Sequence, residues 1–236
     1  MSINQTAALP VPPLPDVMLE PLVRMALLED LGRAGDLTTD TIVPADARDS
    51  LRLVARQEGV LAGLDLARIA FSLMDSSLQF EALCADGQVL APGKEIARIS
   101  GKSRAILTAE RTALNYLCHL SGVASATYSI AQAIKPYGTR VTCTRKTMPG
   151  LRALQKYAVR VGGGNNHRFG LDDAVLIKDN HIALAGDVAT AVGRARAGVG
   201  HMVKIELEVD TLAQLEVALQ LGVDVVLLDN MDLDTL

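Results

Sequence analysis

The second half of the chain alternates between short apolar runs and amphipathic segments of helical period. The apolar runs are rich in Val, Ile and Leu, which is typical of buried parallel strands. Strands are therefore predicted at 140–144, 174–178, 202–208 and 223–229, with helices at 150–161, 187–198 and 211–222. Strict alternation predicts a parallel sheet covered by helices, either an open doubly wound sheet or a barrel.

The first half lacks this alternation. Helices are predicted from a cap at Asp16, over 65–75, over about 104–120 and from there to about 135. Strand-like alternation covers 49–60, and short strands surround an Asp86-Gly87 hairpin turn within 79–101. This set predicts an antiparallel sheet packed with helices, an α+β arrangement.

Three regions follow from these patterns. Residues 1–15 form a proline-rich lead-in, 16–136 the α+β region and 137–236 the parallel α/β region. A complete eight-stranded α/β barrel occupies about 250 residues by itself. A barrel over 137–236 is therefore expected to be incomplete, with its C-terminal part missing.

Composition excludes several classes of protein. The chain is 49% hydrophobic and 21% charged, with a formal net charge of −4, which argues against a general nucleic-acid or membrane-surface binder. The three cysteines have no metal-site spacing and indicate a reducing, cytoplasmic location. No apolar run approaches the roughly 20 residues that a membrane span requires.

Charged residues follow each predicted parallel strand. Arg145 and Lys146 follow the first, and Lys178, Glu208 and Asp229 follow the next three. Because parallel strands present their carboxyl ends at one edge, these side chains are expected to gather there. A single such charge is usually a solvated loop residue, but four consecutive strands favour a ligand site.

The stretch between the first two of these strands favours an anion. Three glycines at 162–164 precede His167 and Arg168, and glycine-rich turns let backbone N–H groups approach an anion. Arg168 adds a planar donor pair suited to carboxylate or phosphate. Between Thr144 and His181 the sequence has seven Lys and Arg residues but only three Asp, and such an excess of positive charge is typical of a site for a small polyanion.

Arg111 falls within an apolar stripe of its predicted helix, at i+4 from Leu107. A cation on a buried face needs an anionic partner. Two interpretations remain open: a structural ion pair, or an arginine that the helix contributes to an anion site, including a site in another subunit.

Carboxylates at neighbouring strand ends suit Mg²⁺, which takes a few carboxylates together with water or substrate phosphate oxygens. Glu208 and Asp229 are the candidates, and Glu206 shares a strand face with Glu208, so the pattern alone does not separate those two. No nucleophile–base pair is evident. The residues therefore indicate a site that positions groups and stabilises charge, as phosphate-transfer or pyrophosphate-release chemistry requires.

Longer motifs resemble one family. The stretches ERTALNYLCHLSGVAS, TRKTMPGLRALQKYAVRVGGGNNHRFGLDDAVLIKDNHI, IELEVD and VVLLDN are similar to the quinolinate phosphoribosyltransferases, and the resemblance runs from about residue 17 to the end. It implies an N-terminal α/β sandwich followed by a seven-stranded α/β barrel. It also implies conversion of quinolinate and phosphoribosyl pyrophosphate to nicotinate mononucleotide, pyrophosphate and CO₂ in NAD biosynthesis, with Mg²⁺ as cofactor.

The resemblance also implies roles for individual residues. The expected substrate-binding residues are Arg111, Thr144, Arg145, Lys146, His167, Arg168, Lys178, Glu208 and Asp229, and the expected catalytic residues are Lys146, Lys178, Glu208 and Asp229. It favours Glu208 over Glu206 as a metal-side carboxylate beside Asp229, with Mg²⁺ held directly or through water or substrate. Arg111 is expected to be supplied across a homodimer interface, and a higher oligomer is compatible with this.

Two alternatives remain. One is a relative of the type found with molybdate transport, which shares this fold. The other is a non-catalytic module that uses the basic side chains at the ends of the parallel strands only to bind anions. Product formation with quinolinate as opposed to nicotinate separates these possibilities.

Overall fold

The computed structural model describes residues 11–236, which form two compact units. The first unit ends at His167 and the second runs from Arg168 to Leu236. The predicted lead-in lies outside the described residues at 1–10, and 11–15 have no regular secondary structure. The predicted domain boundary at 136/137 stays a prediction, because units defined by contacts need not coincide with folding domains.

Antiparallel strands form the sheets of the first unit. The strands are β1 (Arg48–Val54), β2 (Gly59–Val60), β3 (Gln79–Ala82), β4 (Val89–Leu90) and β5 (Glu95–Lys102). One sheet has the order β1-β5-β3, and β2 pairs with β4 in a second. Alternate residues of β5, including Ala97 and Ile99, are fully buried, so one face of the sheet packs on the core.

Two expectations about these strands are wrong. Residues 49–60 are not one strand, because β1 ends at Val54 and β2 begins at Gly59. Asp86-Gly87 forms a turn, in which the Gln88 N–H donates to the Ala85 carbonyl at 3.2 Å, but β3 and β4 do not pair across it. The Asp86 carboxylate instead accepts backbone N–H groups from Gly63 and Leu64, so the turn is fixed by a distant loop.

Helices cover the first unit. They are α1 (Asp16–Leu31), α2 (Leu37–Ile42), α3 (Leu64–Met74), α4 (Ser103–Ile134) and α5 (Arg152–Val161). Leu19, Val23 and Leu27 of α1 are buried, as their helical spacing predicts. The predicted cap is wrong: Pro15 occupies the N-cap, and the Asp16 side chain pairs with Arg68 at 2.7 Å.

The region predicted as two helices at 104–120 and to about 135 is one helix of 32 residues, α4. Two serines near its middle contact the chain around β2. Ser121 Oγ accepts the Ala62 N–H at 3.1 Å and Ser125 Oγ accepts the Val60 N–H at 2.8 Å. Backbone N–H groups in β2 and just after it are thus satisfied by side chains of α4.

Residues 140–144 do not form the predicted strand. Thr142 and Asn165 make an isolated parallel bridge, in which the Asn165 N–H donates to Val141 O at 2.8 Å and the Cys143 N–H donates to Asn165 O at 3.1 Å. Within the first unit, this bridge is what brings the Arg145 segment beside the end of the glycine stretch.

The second unit contains three parallel strands with helical connections. Its elements are β6 (Val175–Ile177), α6 (Asp179–Ala185), α7 (Val188–Gly198), β7 (Ile205–Val209), α8 (Leu212–Leu221) and β8 (Val225–Leu228). The parallel pairing of β6 with β7 and of β7 with β8 confirms the predicted arrangement, whereas the sequence pattern does not predict α6. Val192, Leu207, Val209 and Ala218 are fully buried between sheet and helices. None of the helices within residues 11–236 combines the length and the hydrophobicity that a transmembrane helix requires.

Candidate functional site

The segment after the Thr142 bridge carries three of the predicted site residues. Thr144 Oγ1 accepts the Lys146 N–H at 3.0 Å, and the Thr147 N–H donates to the Arg145 carbonyl at 2.9 Å. This local turn leaves the Lys146 side chain exposed and the Arg145 side chain half-buried. The sequence folds this way because Thr144 supplies the acceptor that an ST turn requires.

Two guanidinium groups contain buried N–H donors without an acceptor. Arg168 donates from Nη1 to the Ala174 carbonyl at 2.9 Å, but its Nε has no partner, and neither does Nε of Arg145. Within residues 11–236, these are the buried side-chain nitrogen or oxygen atoms that lack a hydrogen bond. An unsatisfied buried donor costs about 1–3 kcal/mol. Both arginines are therefore suited to donate hydrogen bonds to an anionic ligand.

In the second unit, Lys178 and Glu208 form an ion pair. Lys178 Nζ donates to Glu208 Oε2 at 3.0 Å, and the Glu208 side chain is only 13% exposed. The register accounts for this contact, because Ile177 aligns with Leu207 and the next residues of β6 and β7 therefore share a face. The predicted cation and carboxylate thus lie at one strand edge, as expected.

Asp229 lies at the same edge. Glu208 aligns with Leu227 of β8, and Asp229 is two residues beyond Leu227, which places both carboxylates on one face of the sheet. The Asp229 N–H donates to Val209 O at 3.0 Å, and its carboxylate accepts from the Asn230 side chain at 3.1 Å. Glu206 lies on the same face of β7 as Glu208, so position on the sheet does not decide which of these two carboxylates would hold a metal ion.

The donor set suits a metal that relies on its substrate for further ligands. Among residues 11–236, no group of three or more His, Cys, Asp or Glu side chains converges as a metal site. Glu208 and Asp229 supply carboxylate oxygens, which Mg²⁺ prefers, and the ion keeps water or phosphate oxygens in its other positions. The residues present therefore fit Mg²⁺ more closely than a metal held by protein side chains alone.

The glycine stretch does not serve as a backbone anion cradle. The amides of Gly162, Gly163 and Gly164 donate to carbonyls of α5 at 2.9 to 3.0 Å. A side chain at Gly162 would clash with the Ala124 carbonyl oxygen of α4, and one at Gly164 would meet Thr127. These glycines allow the end of α5 to pack closely on α4, which corrects the interpretation drawn from the sequence.

Arg111 lies on the exposed face of α4, not within a buried stripe. The buried face is Ile106, Ala109, Thr112, Ala113, Leu117, Leu120, Ala124 and Thr127, while Leu107 is 44% exposed. Arg111 and Leu107 line an open cavity of about 360 Å³ together with Asp36 and Thr108. Hydrogen bonds from Thr39 and Thr108 hold the pKa of Asp36 below its usual value.

His167, Asn180 and His181 have different environments. The His167 carbonyl accepts from Lys156 Nζ at 2.9 Å. His181 Nδ1 accepts the Lys178 N–H at 2.9 Å, so His181 supports the start of α6, as expected for a structural residue. Asn180 follows Asp179, whose side chain accepts the Asn180 N–H at 2.7 Å.

Sequence reasoning missed Lys156 as a residue of this region. Lys156 is fully buried on α5, although in the sequence it stands out only as one of the seven basic residues between Thr144 and His181. Lys156 lies two residues from both Leu154 and Ala158, and residues two apart point to different faces of a helix. The sequence pattern therefore does not predict that Lys156 is buried.

Comparison with known proteins covers almost the whole chain. The model of the quinolinate phosphoribosyl transferase N-terminal domain matches residues 36–121, and that of the C-terminal domain matches 123–236. The probable nicotinate-nucleotide pyrophosphorylase [carboxylating] of Synechocystis is 42% identical over 94% of this chain and 75% of its own length. The Mycobacterium leprae nicotinate-nucleotide pyrophosphorylase [carboxylating] is 43% identical over 88% of this chain and 74% of its own length.

Solved structures agree with these matches. NadC from Streptococcus pyogenes superposes with a TM-score of 0.91 at 42% identity, over 94% of this chain and 79% of that chain. The nicotinate-nucleotide pyrophosphorylase of Francisella tularensis gives 0.89 at 39% identity, over 96% and 79% respectively. These similarities confirm the predicted fold class, an N-terminal sheet domain followed by an α/β domain.

Proposed function

Because this chain belongs to the quinolinate phosphoribosyltransferase family, we propose that it transfers a phosphoribosyl group from phosphoribosyl pyrophosphate to quinolinate. Decarboxylation then gives nicotinate mononucleotide, with pyrophosphate and CO₂ as the other products. This reaction is a step of NAD biosynthesis. The observation that carries the proposal is the pair of buried, unpartnered guanidinium nitrogens at Arg145 and Arg168.

The basic residues account for recognition of two highly charged substrates. Quinolinate carries two carboxylates, and phosphoribosyl pyrophosphate carries several phosphate charges. We assign the planar donors of Arg145 and Arg168 to the carboxylates of quinolinate, and the exposed Lys146 supplies a further positive charge. Thr144 and His167 lie next to these arginines and are proposed as further substrate contacts.

The two carboxylates at the strand ends, Glu208 and Asp229, account for the departure of pyrophosphate. Glu208 and Asp229 would hold Mg²⁺, directly or through water, and the ion would neutralise charge on the leaving group. As the bond to pyrophosphate breaks, positive charge develops at the ribosyl carbon, and the two carboxylates stabilise it. The ring nitrogen of quinolinate then attacks that carbon.

Decarboxylation needs no strong base. After attack, the ring nitrogen is a pyridinium, which stabilises the electron pair left on the adjacent carbon when CO₂ departs. We propose that Lys146 or Lys178 balances charge at the reacting groups. Near-normal turnover in both Lys146→Ala and Lys178→Ala would remove this role.

A homodimer would allow Arg111 to reach the site of a second subunit. Exposed Arg111 lies beside exposed apolar side chains, Leu37 at 65% and Leu107 at 44%, an arrangement suited to contact with another chain. A reducing compartment such as the cytoplasm is supported by Cys84, Cys118 and Cys143, which are all free thiols.

The experiment that tests this function measures nicotinate mononucleotide formed from phosphoribosyl pyrophosphate with quinolinate or with nicotinate, in the presence of Mg²⁺. Product with quinolinate alone, accompanied by equimolar CO₂, is expected. Product from nicotinate would contradict the proposed substrate. Binding of quinolinate without product would instead support a non-catalytic anion-binding role.

A further inference from the structure

Lys156 has no solvent-exposed surface and lies in the middle of α5. Among the residues that the structure describes, it is the single buried residue that carries a formal charge. Fully buried lysines are rare, because an ammonium group loses strong hydration when it leaves water. Its retention on this helix calls for contacts that compensate the loss of water.

The ammonium group contacts two chain segments. Lys156 Nζ donates to the His167 carbonyl at 2.9 Å and lies 2.9 Å from Cys143 Sγ. Cys143 is two residues before Arg145, and His167 immediately precedes Arg168. One side chain therefore holds both segments that lead into the guanidinium groups with unpartnered Nε atoms.

Backbone contacts between these segments end before the arginines. The Thr142–Asn165 bridge uses the Cys143 N–H and the Asn165 N–H and carbonyl. The Cys143 thiol adds a weak contact to Asn166 Oδ1 at 3.4 Å. Lys156 extends this connection, because it holds the second segment at His167, two residues beyond Asn165.

The backbone position of Lys156 on α5 is itself fixed by packing. Leu154 and Ala158 on either side of it are buried in the core. Its neighbour Tyr157 donates to Asp86 Oδ2 at 2.8 Å, and Asp86 accepts two backbone N–H groups at the start of α3. Rotation or translation of α5 would break these contacts, so Nζ has a defined position.

We propose that Lys156 is a positioning residue: it fixes the segments 141–146 and 165–168 so that their basic side chains are preorganised for the anionic substrate. Lys156 itself has no accessible surface and does not touch the substrate. The assignment of these segments to quinolinate rests on the proposed function, whereas the mechanical role of Lys156 does not. Preorganised site residues usually require such support from the groups behind them.

The experiment compares Lys156→Met with two matched variants of α5. Arg160→Met removes an exposed positive charge from the same helix, and Leu154→Ala removes buried apolar volume without touching the ammonium contacts. Backbone hydrogen exchange over 141–146 and 165–168 and steady-state kinetics are measured for each. For Lys156→Met we expect faster exchange in both segments and a KM for quinolinate raised about tenfold or more, because small misplacements of binding groups are costly.

The KM for phosphoribosyl pyrophosphate should change much less than the KM for quinolinate, which separates positioning from general loosening. If Leu154→Ala reproduces the quinolinate effect, or if Lys156→Met leaves exchange and KM as in the unaltered chain, the inference is wrong. Where Lys156→Met does not fold, Lys156→Gln retains an N–H donor and should raise the KM for quinolinate severalfold above that of the unaltered chain; an unchanged KM overturns the inference. Absence of turnover in the unaltered chain would contradict the proposed function, while the exchange rates would still test Lys156.

Discussion

Lys178 and Glu208 are joined by a 3.0 Å ion pair between Nζ and Oε2, although the sequence predicts a separate role for each. The pair follows from alignment of β6 with β7, which places the residue after Ile177 beside Glu208. Glu208 is the more buried partner, so it depends on Lys178 for compensation of its charge.

This ion pair predicts energetic coupling in catalysis. Lys178→Ala, Glu208→Ala and the double variant should be non-additive in kcat/KM by about 0.5–3 kcal/mol, because the residues are in direct contact. Lys204 and Asp224 form an exposed pair at 2.6 Å in the same unit and are the control. Alanine at both of these positions should leave kcat/KM unchanged, and strict additivity for Lys178 and Glu208 would contradict the prediction.

Replacement of Arg145 or Arg168 by Lys keeps the charge but removes the guanidinium group whose Nε is unpartnered. We expect quinolinate affinity to fall about 10- to 100-fold, because lysine cannot reproduce planar two-donor recognition. Thermal stability without ligand should not fall for Arg145→Lys, since a buried unsatisfied donor is removed. Calorimetric titration and thermal unfolding test this, with Arg160→Lys as the control.

Sharing of Arg111 between subunits predicts complementation in mixed samples. Arg111→Ala and Lys146→Ala should each have low activity alone. After co-refolding, a symmetric dimer that exchanges Arg111 should recover about 25% of the unaltered activity, because half of the dimers are mixed and each has one intact site. Recovery no greater than the mean of the two separate variants would show that Arg111 acts within its own subunit.

The two glycines 122 and 162 should respond oppositely to alanine. Gly162→Ala should destabilise the fold by about 1–3 kcal/mol, because the new methyl group would overlap the Ala124 carbonyl oxygen. Gly122 lies inside α4 with open space around it, so Gly122→Ala should stabilise the fold by about 0.5–1 kcal/mol. Urea unfolding measures both changes, and a stable Gly162→Ala variant would argue against the close packing of α5 on α4.

Asp75 predicts a change of stability in acid. Hydrogen bonds from Ser77, together with the Lys102 ammonium at 3.1 Å, lower the pKa of Asp75 to about 2. Because the pKa of Asp75 in the folded chain is below its ordinary value of 3.8, the contribution of Asp75 to stability is present above that pH and is lost as the pH falls towards 2. The urea midpoints of the unaltered chain and Asp75→Asn should therefore differ at pH 6 and converge near pH 2.

Three of the four predicted parallel strands are present because their signal is local, whereas 140–144 forms only an isolated bridge. Apolar runs of Val, Ile and Leu specify buried strands, and parallel strands necessarily bring their following residues to one edge. This is why Lys178, Glu208 and Asp229 share an edge as predicted. The roles assigned to these residues in binding and catalysis stay predictions.

Other features depend on contacts that the local pattern does not contain. The glycines at 162–164 have the composition of an anion loop, but tertiary packing on α4 explains two of them. Arg111 follows Leu107 at helical spacing, yet the buried face of α4 is displaced from both residues. Lys156 is buried because segments distant in the chain provide acceptors for its ammonium group.

Burial of Lys156 also affects its chemical reactivity. An amine without accessible surface is protected from acylating reagents, whereas exposed Lys146 is open to them. Brief treatment with acetic anhydride should therefore label Lys146 before Lys156. Later acetylation of Lys156 would record the moment at which α5 separates from the segments that it holds, so this lysine can serve as a built-in reporter of partial unfolding.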